Sequence, residues 1–442
     1  MKPPLKLGKI WESLHTSYWF IPTLMAISAV VLAFGMITVD HRLGEGLIKK
    51  LSWIYTGGPD GARAVLSTIA GSMIAVSGTV FSITVVALTL ASSQFGPRLL
   101  RNFMQDTGNQ IVLGTFIATF IYCLLILRTV RGDDYQIFIP QISVTVALIL
   151  ALLSIGVLIY FIHHAAESIQ ADVVIADVSN DLNDGIARLF PEKLGRKITH
   201  QIEDHFSDLP VNFEEKTCLI CSRQSGYIQL IDEDKLLKIA KSHDLIIQIL
   251  HRPGYFIIKG KELVRVYPDY SVNKSLKKKI NQVFLVGRQR SQQQDVEFSV
   301  NQLVEIASRA LSPGINDPFT AIRCIDRLCE GLCNFVEREI PSPYRYDEDK
   351  KLRVIANPVT FKSMINLAFN PIRQYVSSSV AVRIRLLEAL AEIASHTHNQ
   401  EDREILMTQA KMIHQDGLED LSAEQDHQEI HEHYLTVLKT LN

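Results

Sequence analysis

AVLSTIAGSMIAVSGTVFSITVVALTLASSQFGP, residues 64–97, contains no Asp, Glu, Lys or Arg. As one helix it would run about 50 Å, whereas bilayer hydrocarbon is about 30 Å thick, so the stretch is long enough to cross and must tilt, bend or project. Its small and hydroxyl residues, Ser67, Gly71, Ala75, Gly78, Ser82, Thr89 and Ser93, recur at steps of three or four with one gap near Val85 and Val86. That spacing places them on one helical face. Leu66, Ile69, Met73, Val80 and Ile83 mark the opposite face. A slim, weakly polar face has two physical uses: it lets helix backbones approach closely, or it lines a water-filled path. Copies of this helix around a common axis would satisfy both, so the seven residues are pore-lining candidates. Gly96, Pro97 and Arg98 close the stretch and are bend or gate candidates, because Pro removes a backbone donor and Gly loosens the chain. Interfacial anchoring is the competing reading of Arg98.

Working outward, three more apolar runs join this one, giving spans at about 17–39, 65–95, 111–127 and 138–162. The expected architecture is an α-helical membrane protein with four transmembrane helices over residues 1–170, followed by a soluble α+β part. That part divides into a strand-rich domain, 171–285, read as a small β-barrel or sandwich, and a helical bundle, 286–442. The first run is too long for the apolar core of a signal peptide and reads as a retained span. Four spans put both termini on one side. Lys and Arg nearly tie across the two sides, so orientation rests on Lys2, Lys6 and Lys9 ahead of the first span and on six cysteines without a disulfide pattern. Both favour cytoplasmic termini. A net charge of −2 gives no global field for nucleic acid, and none is expected as a partner. The expected partners are the lipid bilayer, further copies of the chain, and ions or small solutes. No carboxylate, lysine, arginine or histidine interrupts a span, which argues against an ion-coupled pump more than against a passive pore. His163 and His164, at the exit of the fourth span, read as solvated.

In the second half, strands are expected near 217–222, 226–231, 245–250, 255–258 and 263–267, with a helix capped by Asp232 between the second and third. The hairpin through Gly254 and Gly260 resembles those of lipoyl-type barrels, but no carrier-lysine turn is present and no cofactor is expected. Cys218 and Cys221 lack a second ligand pair nearby, and strand residues three apart face opposite ways, so burial rather than a metal is expected. Asp295 is positioned to cap a helix that stops before Ser312-Pro-Gly-Ile-Asn-Asp-Pro318. Asn316 tolerates a left-handed turn, and Asp317 with Pro318 suits the start of the next helix. Arg288, Arg290 and Arg309, with Asn316 and Asp317, form a possible anion or ligand site; the arginines could equally pair with Asp295 and Glu297. Helices follow near 360–368, 376–395, 400–416 and 423–441. His427 and His431, one turn apart, read as a solvated face rather than a metal site.

Phe81-Ser-Ile-Thr-Val-Val-Ala-Leu, Ala91-Ser-Ser-Gln-Phe-Gly-Pro-Arg98, Gln294-Asp295, Gln302-Leu303 and Arg309-Ala-Leu-Ser-Pro-Gly-Ile-Asn-Asp-Pro-Phe319 together resemble a bacterial family of predicted membrane proteins, "domain of unknown function 2254". The resemblance implies an inner-membrane location and a cytosolic C-terminal half, and it supplies no catalytic residue. The expected function is an oligomeric channel or pore lined by the second span, with a cytosolic gating or vestibule domain. The alternative is a membrane-anchored sensor or scaffold whose cytosolic part binds a partner or small ligand. No nucleophile elbow, phosphate loop, metal-ligand set or carboxylate pair points to an enzyme.

Overall fold

A computed structural model describes residues 17–48, 55, 57–96, 106–131, 138–192, 209–210, 212–376 and 379–441. The chain divides into two compact units, Met1–Val173 and Val174–Asn442.

In the first unit the apolar runs are helices α1 (Phe20–Ile48), α2 (Pro59–Phe95), α3 (Thr107–Leu127) and α4 (Gln141–Ser168). All four are long and apolar enough to cross a membrane. Each start has a local cause. Pro59 opens α2, where its missing N–H is no loss. The Asp106 carboxylate accepts from the Gly108 N–H at the head of α3. The head of α4 follows Pro140, which brings no side-chain cap. Asp40 of α1 supplies one across the bundle, accepting from the Ile142 and Ser143 N–H groups at 3.0 Å each. α3 packs against all three other helices. Gly114 permits this approach, because a Cβ there would stand 2.5 Å from Met25 Sδ and 3.2 Å from Pro22 Cα. The interior joins Val112, Phe116, Tyr122, Ile126 and Val144 with hydroxyl contacts, Thr119 to Ser154 at 3.2 Å and Tyr122 to the Ser143 carbonyl at 3.1 Å. His164 is not simply wet. Its Nε2 lies 2.6 Å from the Asp106 carboxylate and its ring stacks on Tyr160, while His163 is exposed beside Glu167.

The second unit contains most of α5 (Ala171–Leu189). After it come β1 (Cys218–Cys221), β2 (Gly226–Ile231), α6 (Glu233–Ser242), β3 (Ile246–Ile249), β4 (Phe256–Ile257), β5 (Glu262–Tyr267), α7 (Lys274–Asn281) and β6 (Phe284–Gly287). α8 (Val296–Ala310), α9 (Pro318–Val336), β7 (Tyr344–Tyr346) and β8 (Leu352–Ala356) follow, then α10 (Phe361–Tyr375), α11 (Val380–Ser395), α12 (Gln400–Asp420) and α13 (Glu424–Leu441). The strands form a five-stranded sheet, β1-β5-β3-β8-β7, and a three-stranded sheet, β4-β2-β6. Both orders are open-ended, so no barrel closes among the described strands. Among the described strands, only β3 and β8 pair in parallel. That pairing ties residues near 248 to residues near 355, so the strand-rich and helical stretches share one sheet. Ile228, Ile247, Val264 and Val283 meet Leu236 of α6 and Leu276 of α7 in a single core.

Several sequence expectations fail here for local reasons. β1 lies at a sheet edge, and only Ile220 of it is buried; Cys221 is exposed and Cys218 half-buried, so the pair is not buried in the core. α10 continues through Pro371 to Tyr375 because Met364, Ile365, Ala368, Phe369 and Ile372 keep a buried stripe running past it. His431 pairs with His414 at 3.1 Å, while His427 Nε2 lies 2.9 Å from the Leu421 carbonyl oxygen; no cluster of potential metal ligands occurs among the described residues.

Candidate functional site

All seven pore-lining candidates of α2 are exposed on the protomer. The packed face is Ala62, Leu66, Ala70, Met73, Ser77 and Val80. Gly71 and Gly78 face open space, since a Cβ at either would meet nothing within 4 Å. The hydroxyls turn back on their own helix: Ser67 donates to Ala64, Ser82 to Gly78, Thr89 to Val85 and Ser93 to Leu90, at 2.8–3.0 Å. Each hydroxyl proton is thereby satisfied locally, and the oxygen lone pairs remain on the exposed face. From Phe81 to Leu90 no side chain is buried; Ile83, on the face opposite the small residues, is exposed, while Thr84, Ala87 and Leu88 are half-buried. Gly96 ends the helix at φ +106°, a conformation that favours glycine, with its N–H on the Ser92 carbonyl. Pro97 and Arg98 lie outside the described residues.

The expected anion set is divided by α8. Arg290 lies before its first turn, while Arg309 sits in its last turn and Asn316 and Asp317 follow it, about 20 Å along the helix. Asn316 takes the left-handed turn at φ +51°. Asp317 caps α9, accepting from the Thr320 N–H and hydroxyl, and these bonds hold its carboxyl below the usual range. Arg288 is exposed. Asp295 precedes α8 but does not cap it with its side chain. Its carboxylate instead takes a two-point bond from Arg290, Nε to Oδ2 at 2.8 Å and Nη2 to Oδ1 at 2.9 Å. Burial pushes the Asp295 carboxyl up to about 6 against the pull of that arginine. Gly254, at φ +89°, makes room: a Cβ there would sit 2.2 Å from Asp295 Oδ2. Gln294 completes the join by holding both the N–H and the carbonyl of Ile231 at the end of β2.

Arg290 and Gly254 of this join also line a cleft that the sequence did not single out. The cleft holds about 840 Å³ and is open to solvent. One wall is a face of α10 carrying Ser363, Asn366, Asn370 and Gln374. The facing side is the turn Leu250–Tyr255 with Arg290, and α8 contributes Glu297 and Asn301. Arg252 bonds Glu297 at 3.1 Å and the Pro358 carbonyl at 3.0 Å, and the Ser363 hydroxyl reaches Glu297 as well. His251 stacks on Tyr255 with ring centres 4.0 Å apart, and partial burial lowers its affinity for a proton. Asn366 accepts from Gln409 at 2.8 Å, whereas Asn370 Oδ1 is buried with no hydrogen-bond partner among the described residues. The spacing of Ser363, Asn366, Asn370 and Gln374 is the signal that was available in the sequence: uncharged polar residues at helical period beside an apolar stripe.

Residues 15–392 match the family described as "Predicted membrane protein (DUF2254)". The chain is 31% identical over 410 residues to Uncharacterized protein Rv1290c of Mycobacterium tuberculosis and to Uncharacterized protein Mb1321c of Mycobacterium bovis. Each alignment covers 91% of this chain and 77% of the relative. No solved structure matches the chain. With most of its length matched and four helices able to cross a bilayer, the chain belongs to the DUF2254 family of membrane proteins.

Proposed function

We propose that this protein is an oligomeric channel of the bacterial inner membrane. Copies of α2 stand around an axis with their small-residue faces inward, both termini lie in the cytoplasm, and the Val174–Asn442 unit regulates the path without catalysing a reaction. One observation carries the reading. The protomer uses the Leu66–Val80 face of α2 for its own packing and leaves the face of Ser67, Gly71, Ala75, Gly78 and Ser82 uncovered. Small side chains gain little by contact with lipid tails and much by contact with another backbone or with water. Protein reconstituted in liposomes should pass small ions faster than empty vesicles do. Gly78→Leu should remove that flux, since the added side chain meets nothing in the protomer and fills the axis. Flux at the level of protein-free vesicles ends the channel reading.

The amide-lined cleft favours a second reading, a membrane-anchored sensor whose helices serve as anchor and oligomerisation site. Ligand binding in a protein that conducts nothing would select it.

A further inference from the structure

We propose that the cleft between α8, α10 and the Leu250–Tyr255 turn is a nucleotide-binding site. This goes beyond the channel reading and does not depend on it.

The first support is the amide wall. An amide presents a donor and an acceptor side by side, which matches the edge of a nucleobase; Asn and Gln pair with adenine through two bonds at once. Asn366, Asn370 and Gln374 line the cleft from one helix face, and Asn301 adds a fourth amide from α8; Asn366 Oδ1 already accepts from Gln409 and Asn301 Nδ2 donates to the Glu297 carbonyl, which leaves the Asn366 N–H groups and the Asn301 oxygen for a ligand. The buried Asn370 Oδ1 lacks a donor among the described residues. That oxygen is closed to solvent as it stands, so a base would pair with it only as the Asn370 side chain turns towards the cleft that it lines, which would also relieve the unpaired acceptor.

The second support is the aromatic pair. The His251 and Tyr255 rings are parallel within 3°, and Tyr255 is 46% exposed. Two rings already stacked at the edge of a cleft form a platform on which a third planar ring can lie.

The third support is the setting of the arginines. Arg290 is held at two points by Asp295, and Arg252 is held by Glu297 and the Pro358 carbonyl. These bonds use Nε and Nη2 of Arg290 and both Nη atoms of Arg252. Nη1 of Arg290 and Nε of Arg252 remain as oriented donors suited to a phosphate. The same two carboxylates offset the arginines' charge. A bare anion is therefore drawn only weakly, and a ligand must engage the amides and the platform as well. A volume of about 840 Å³ lies within the range of sites for such molecules.

The test uses the full chain in detergent micelles, titrated calorimetrically with ATP, GTP, AMP, adenosine and inorganic phosphate. At least one nucleotide should bind, and more tightly than adenosine or phosphate alone. Tyr255→Ala and Asn370→Leu should each weaken it at least about tenfold, the scale expected for a lost stacking partner or paired amide. Tyr255 is nearly half exposed at the cleft edge, and Asn370→Leu removes an unsatisfied acceptor, so both variants should melt within a few degrees of the parent. The proposal is overturned by any of three results: no nucleotide binds, adenosine or inorganic phosphate binds as tightly as the best nucleotide, or either variant binds that nucleotide as the parent does.

Discussion

In the Met1–Val173 unit the surface carries Leu24, Val31, Phe34, Leu152 and Ile159, while Asp40, Gln110, Thr119, Ser143 and Ser154 are enclosed. In the Val174–Asn442 unit the arrangement is reversed: Ile247, Val264, Leu303 and Leu387 are enclosed, and the surface carries charges such as Lys238, Lys277 and Glu419. The difference follows from the solvent. Where lipid surrounds the helices, apolar side chains gain nothing by turning inward, and specific packing relies on small residues and hydrogen bonds. Where water surrounds the chain, burial of apolar area drives folding. The few charges buried among the described residues of the second unit are paired with opposite charge: Arg353 with Asp347 and Asp244, Asp295 with Arg290, and Arg383 with Asp420. In the first unit the buried Asp40 is matched instead by backbone N–H groups at a helix head.

The contrast can be broken most sharply at Arg290. Arg290→Met leaves Asp295 buried without its arginine and should cost about 3–5 kcal/mol, read as a lower thermal midpoint of the second unit. Adding Asp295→Leu to Arg290→Met should return most of the loss; a single variant that melts like the parent would show that the pair does not act as a unit.

Two glycines on apolar helices sharpen the contrast within the first unit. Gly114→Leu drives a side chain into Met25 and Pro22 and should cost about 1–3 kcal/mol through overpacking. Gly78→Leu should leave protomer stability within error and alter only assembly or flux. Denaturation in mixed micelles, followed by helix content, separates them; equal losses would mean that the α2 face is packed inside the protomer after all.

A smaller effect is expected at Asp40. Asp40→Ala removes the cap of α4 and should cost about 1–2 kcal/mol, measured in the same micelle assay, whereas alanine at exposed Asp60 should change little.

The smallest effect is a pH slope. The Asp295 carboxyl titrates near 6 in the folded chain, above its unfolded value of 3.8. A raised carboxyl favours the fold when protonated, so its contribution is present at low pH and is lost as pH rises towards and through 6. Between pH 7 and pH 5 the parent should gain about 1 kcal/mol relative to Asp295→Asn. A stability difference that stays constant with pH would place the titration elsewhere.

Much of this was legible in residue order. The four apolar runs became helices, with ends shifted by a few residues where caps such as Asp106 or Pro59 extend them. Asp232, Asn316 and Asp317 act where their side-chain chemistry placed them. Asp295 holds the N-cap position of α8 but engages Arg290 with its carboxylate, the pairing that the sequence left open beside capping, because that choice depends on Arg290 being held nearby under Gly254. Glu297 finds Arg252, 45 residues away, and nothing local indicates that partner.

Hydropathy, helical period and capping are properties of neighbours within a turn or two, so the sequence by itself determined the membrane spans, the slim face of α2 and most helix heads. The β3–β8 pairing, the Arg252–Glu297 contact and the amide-lined cleft join residues tens to more than a hundred positions apart. Only the tertiary structure decided these, because such contacts depend on which elements the whole chain brings side by side and not on the preferences of any one segment.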